Sequence, residues 1–113
     1  MTDLVTREKM VPSGDPGISL YVRSKRPAGM TAFTADRSVL FVHGATYPAE
    51  TAFDLRLDGS SWMEFIARRG FDVRLLDVCG YGRSTRPPAM DAPAGANPPF
   101  ADTAIARRGR VKV

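Results

Sequence analysis

Residues 39–48 read VLFVHGATYP: four apolar residues run into the chain's only histidine, His43, then Gly44, and a proline follows at position 48. The apolar run is continuous rather than alternating, which is the pattern of a strand covered on both faces, as in a parallel sheet. A strand is expected over residues 38–43. A glycine directly after it lets the backbone turn sharply and leaves free N–H groups facing the cleft beyond, where they can hold an anion. Taken alone, His-Gly is a common pair, and a hydrogen-bonded structural histidine is its commoner reading.

Downstream, residues 60–70 carry several agreeing helix signals. Ser61 and Glu64 match a capping box, Trp62 and Ile66 are spaced i, i+4, and Gly70 suits a C-terminal cap. Arg68 and Arg69 fall at the negative end of the dipole. The helix is expected over 61–69, and FDVRLLDV over 71–78 is the next strand. A strand, helix and strand within about 40 residues form a crossover that makes the two strands parallel. Their C-terminal ends then lie side by side, at the edge where open α/β sheets bind ligands.

Upstream, Ile18, Leu20 and Val22 alternate with Ser19, Tyr21 and Arg23, the period of a strand with one face covered. SGDPG at residues 13–17 packs turn residues in front of it. Strands are expected over about 5–12 and 18–23, paired as a hairpin, and residues 26–37, punctuated by Pro27 and Gly29, as a loop. The fold class expected is α/β: an N-terminal β-hairpin followed by a parallel β-α-β unit. Residues 1–85 form the core; residues 86–113 are a Pro-rich loop and basic tail, in which Asp102 can cap a helix of about two turns.

With 113 residues, 43% hydrophobic and 25% charged, the chain holds at most one domain of ordinary soluble composition. Its net charge of +4 belongs to Arg107, Arg108, Arg110 and Lys112, since residues 1–106 hold twelve bases against twelve acids. A short basic tail without interleaved aromatics argues against specific nucleic-acid binding. The longest apolar run is too short for a signal peptide or a membrane span, so no membrane partner is expected. One cysteine, Cys79, gives neither an internal disulfide nor a metal framework, and a reducing, cytoplasmic setting is expected.

DVCGYGRST, residues 77–85, places an acid, two glycines and small polar residues at the end of the second parallel strand. Together with VLFVHGATYP and the intervening helix, it resembles the N-terminal half of the α/β-hydrolase fold over residues 18–88. There a strand ends in His-Gly, a helix crosses over, and a strand ends in Asp-x-x-Gly-x-Gly-x-Ser. The resemblance implies that Ala45, right after the His-Gly pair, supplies a backbone oxyanion-hole donor. It implies a substrate pocket rim of His43, Gly44, Thr46, Tyr47, Gly80 and Gly82, with His43 as scaffold rather than general base. The substrate implied is a small acyl-type molecule, and no cofactor is expected.

The family's Gly-x-Ser-x-Gly nucleophile, and the acid and base that follow it, have no counterpart here. GRSTR, residues 82–86, lacks the second glycine, and Pro87 and Pro88 oppose a helix start, so Ser84 reads as the family's turn serine. The same prolines, and Thr85 where Gly or Ala belongs, argue against a dinucleotide fingerprint. Cys79 meeting His43 as a thiolate–imidazole pair is a third possibility, set against Cys79 packing as a small apolar residue. No metal-ligand spacing is present. The expectation is an incomplete α/β-hydrolase sheet, truncated before the nucleophile elbow and inactive alone. The alternative is an interaction module that pairs through an exposed sheet edge with itself or with a complementary fragment.

Overall fold

The computed structural model describes residues 2–91 and is a small α/β domain with one mixed four-stranded sheet and few helices. The strands are β1 (Leu4–Pro12), β2 (Ser19–Pro27), β3 (Ser38–Val42) and β4 (Asp72–Leu76). Two short helices, α1 (Ala49–Phe53) and α2 (Trp62–Ala67), lie between β3 and β4. In the sheet the order is β1-β2-β4-β3. β1 and β2 are antiparallel, as are β2 and β4, whereas β3 and β4 run parallel, with Val39 opposite Val73 and Val42 opposite Leu76. The expectations on Asp102 and the basic tail lie outside the described residues.

Local chemistry accounts for the joints. In the turn between β1 and β2, the Ser13 hydroxyl accepts the Asp15 N–H, and Gly17 takes a positive φ of 75°. Ser61 caps α2 as expected: its hydroxyl accepts the Glu64 N–H at 3.0 Å while the Glu64 carboxylate accepts the Ser61 N–H at 3.1 Å. Asp58 and Gly59 both have positive φ in a tight reversal between Leu57 and Ser60, the conformation that Asp-Gly favours.

The structure corrects several expectations. β2 does not stop at residue 23 but continues through Lys25 to Pro27, paired with β1 along its whole length, so residues 26–27 belong to a strand and not to a loop. The helices cover the face of β2 that carries Tyr21, Arg23 and Lys25, while Ile18 and Leu20 on its other face are buried as well. Tyr21, Arg23 and Lys25 point toward them and are buried, beside a core of Ala49, Met63, Ala67, Val73 and Leu75. Arg23 and Lys25 tolerate this because carboxylates from the helical side meet them. Finally, β3 is not covered on both faces, since Leu40 is 51% exposed, and among the described residues it is an edge strand. The helix expected over 61–69 is likewise shorter, ending its regular turn at Ala67, with Gly70 following at a φ of 93°.

Candidate functional site at the strand ends

Because β3 and β4 are parallel neighbours, the segments leaving their C-terminal ends, residues 43–48 and 77–85, come together. His43 is buried, and its Nε2 accepts the Val78 N–H at 2.9 Å. With Nε2 an acceptor the ring proton belongs on Nδ1, which donates to the Gly44 carbonyl at 2.6 Å. Tyr81 packs edge-on against the His43 ring at 4.7 Å, and its hydroxyl donates to the Ala45 carbonyl at 2.5 Å. Both ring nitrogens are therefore engaged in holding loops.

Asp77 is the centre of the second segment. Its carboxylate is buried and accepts two backbone donors, the Ala49 N–H at 2.9 Å and the Arg83 N–H at 3.0 Å. The first of these caps α1, whose own N-cap is Pro48 with no side-chain bond to offer. A five-residue helix with no cap of its own thus depends on an acid from the next strand. The Ser84 hydroxyl accepts the Tyr21 N–H at 2.8 Å and donates to the Asp77 carbonyl at 2.6 Å. With its oxygen buried and committed in both directions, Ser84 is a structural hydroxyl and not a nucleophile. The Thr85 hydroxyl accepts the Ser19 N–H at 3.0 Å in the same manner.

Of the residues singled out from sequence, His43, Gly44 and Ala45 share one loop, with Thr46 and Tyr47 beyond them, all but His43 exposed. Gly80 and Gly82 lie across from them in the Asp77 turn, at φ of 89° and 51°. The Cys79 thiol lies 3.7 Å from the Thr85 carbonyl oxygen, half-buried within its own turn. Among the described residues no group of three His, Cys, Asp or Glu side chains is placed to hold a metal ion, and no helix is long and apolar enough to cross a membrane.

A buried ionic cluster escaped the sequence reading. Asp54 accepts from Arg23 at 2.7 Å, from Lys25 at 2.9 Å and from the Ser61 hydroxyl at 2.6 Å. Glu64 accepts from Lys25 at 3.0 Å and from Arg56 at 2.6 Å. Burial works against the Glu64 charge, but hydrogen bonds from Arg56, Lys25 and the Ser61 N–H prevail and hold its carboxyl at about 2. Burial likewise disfavours the Arg23 cation, and the bonds to Asp54 and Tyr21 outweigh it, raising its pKa. The available signal was Arg23 and Lys25 at i, i+2 on a strand, which puts two cations on one face.

No protein-family model matches the chain, and no curated protein matches it.

Proposed function

We propose that the chain forms the N-terminal part of an α/β-hydrolase-like protein whose complete form cleaves an ester, amide or related bond by nucleophilic catalysis. The observation that carries this reading is the hydrogen bond from the Val78 N–H to His43 Nε2, which joins the His-Gly loop to the Asp-x-x-Gly-x-Gly-x-Ser turn across two parallel strands. On this reading the sheet is an incomplete hydrolase sheet. The Ala45 N–H donates to the oxyanion of a small acyl-type substrate, and Gly44, Thr46, Tyr47, Gly80 and Gly82 surround the pocket.

The chain contains no Gly-x-Ser-x-Gly, so the nucleophile and its partners come from beyond these 113 residues. A missing triad costs on the order of a millionfold in rate. The expected result with p-nitrophenyl acetate is no turnover above buffer. The decisive test is the coding sequence past codon 113: Gly-x-Ser-x-Gly in one of its reading frames is expected, and its absence from all three defeats the proposal.

A second reading, an interaction module, is favoured by the character of the β3 edge. Ser38–Val42 carries no charge and no proline, whereas the opposite edge, β1, holds Arg7, Glu8 and Lys9 and ends at Pro12. Charges and proline are the usual protection of an open edge, and β3 lacks both. Beside it Phe41 stacks on Phe53 at 4.3 Å, and Trp62, 57% exposed, lies 4.8 Å from Phe41. Sedimentation of the purified chain separates the readings: self-association supports the module, and a monomer at all concentrations removes its self-pairing form.

A further inference from the structure

The sheet face turned away from the helices carries a second concave feature, at the end opposite the His43 loop. Arg7 on β1, Ser24 on β2 and Arg74 on β4 stand in register across three neighbouring strands and on one face. Two residues along from Arg7 on the same face is Lys9, and two along from Ser24 is Arg26. After β2 the chain brings Thr31 and the half-buried Phe33 to the border of this surface, leaving an open concavity of about 250 Å³. Four cations, Arg7, Lys9, Arg26 and Arg74, line it against one carboxylate, Asp72, a formal charge of +3.

Only one of the four cations, Arg74, meets a carboxylate among the described residues. Arg74 donates to Asp72 at 3.1 and 3.3 Å, and Arg26 is held by the carbonyls of Met30 and Pro27 at 2.5 and 3.3 Å. Arg7 and Lys9 are exposed and have no ion-pair partner among the described residues. The acid between them, Glu8, points to the opposite face, where it lies 3.7 Å from Arg23. Two fixed guanidinium groups and two free cationic arms thus face one small concavity, in which like charges repel and the field is concentrated.

We infer that this concavity binds a small, multiply charged oxyanion of the phosphate monoester or diphosphate class. Arg7 and Arg74 project from strands about 10 Å apart, two strand spacings, with the Ser24 side chain between them. An anion held there takes charge-assisted bonds from both sides, and guanidinium forks suit its oxygens. A cavity below the roughly 300 Å³ of drug-sized ligand sites selects a small ligand. The border of Thr31 and Phe33 on one side distinguishes it from a basic stripe of the kind that follows a nucleic-acid backbone.

The test is isothermal titration of the full chain with sodium pyrophosphate at low ionic strength, with backbone NMR shifts recorded in parallel. Pyrophosphate is expected to bind with a Kd of ~0.1–1 mM, a range typical of a small ligand held mainly by charge. Shifts are expected to concentrate on Ser24, Arg26, Thr31 and Arg74. An R7Q/K9Q double variant is expected to weaken binding about tenfold or more, and R69Q, on the helical side, to leave it unchanged. Absence of heat with pyrophosphate, an equal loss in R69Q, shifts centred elsewhere, or tighter binding of duplex DNA than of pyrophosphate each overturns the site. Should the double variant fail to fold by circular dichroism, the shift map on the unaltered chain decides alone.

Discussion

The α-carbon of Gly82 lies against the carboxylate of Asp77: a Cβ at position 82 would stand 2.2 Å from Oδ2 and 2.6 Å from the carboxyl carbon. Asp77 has no freedom to withdraw, because each of its oxygens accepts a different backbone N–H, one from α1 and one from the turn itself. The φ of 51° at Gly82 adds a second demand for glycine. The second glycine of the turn is therefore fixed by the acid five residues before it.

Replacing that glycine tests the relationship. Gly82→Ala is expected to destabilise the fold by about 2–4 kcal/mol, combining the contact with the left-handed backbone. Urea denaturation followed by circular dichroism measures it, and a loss within experimental error would mean that the turn opens readily.

Asp77 is sensitive even to its closest isostere. Asp77→Asn replaces an acceptor oxygen by an amide donor opposite either the Ala49 or the Arg83 N–H, and Asp77→Ala leaves both amides without their acceptor. A buried donor stripped of its partner costs about 1–3 kcal/mol. Both variants are expected to be destabilised in thermal melts, the alanine more so, and amide exchange is expected to accelerate at both Ala49 and Arg83 in the alanine and at one of the two in the asparagine.

Acid stability carries the mark of Glu64. Its carboxyl lies at about 2 in the fold against 4.5 as its unperturbed value. Since the folded value is the lower one, the contribution is complete above about pH 4.5 and disappears as the pH falls toward 2, amounting to roughly 3 kcal/mol. Unfolding free energy measured across that window is expected to fall with acidification, and Glu64→Gln is expected to flatten the slope while lowering stability at neutral pH.

Removing Asp54 takes the shortest carboxylate contact from each of two buried cations. In Asp54→Ala, Arg23 loses its 2.7 Å partner and Lys25 keeps only Glu64, so a loss of about 3–5 kcal/mol is expected. Denaturant midpoints report it. A double-mutant cycle of Asp54→Ala with Arg23→Met is expected to recover part of the loss, because the second change removes the stranded charge.

The β3 edge gives a prediction of a different kind. Leu40→Lys puts a charge on the exposed side chain at the centre of the strand, and its effect on unfolding is expected to stay within about 0.5 kcal/mol. Any self-association of the unaltered chain is expected to drop sharply in this variant by sedimentation velocity. Association that survives the charge would lie elsewhere on the surface.

Features decided within a few residues could be read directly: the SGDPG turn, the Ser61–Glu64 capping box and the positive φ after α2 all follow from local chemistry. What could not be read came from a distance. Which face of β2 meets the helices is decided by Asp54 and Glu64, 29 to 39 positions away, turning Arg23 and Lys25 from surface residues into interior ones. α1 is too short for a period of its own and is held by Asp77, 28 positions later. The continuous apolar run of β3 looks the same in a central strand as in an edge strand. The His43 loop and the Asp77 turn were both visible as motifs, while the bond from Val78 to His43 that joins them needed the parallel register.

Two hydroxyls occupy the place of a missing strand. Past the last residue of β4, the Tyr21 and Ser19 amides of β2 donate to Ser84 and Thr85 side chains, and their carbonyls accept the Asp77 and Thr85 N–H groups. A loop thereby prolongs the ladder through side-chain oxygen, and it does so only while residues 78–83 stay closed. A protease nick anywhere in that span would release the amide protons of Ser19 and Tyr21 to solvent deuterium together, although both sit in a strand the cut never touches.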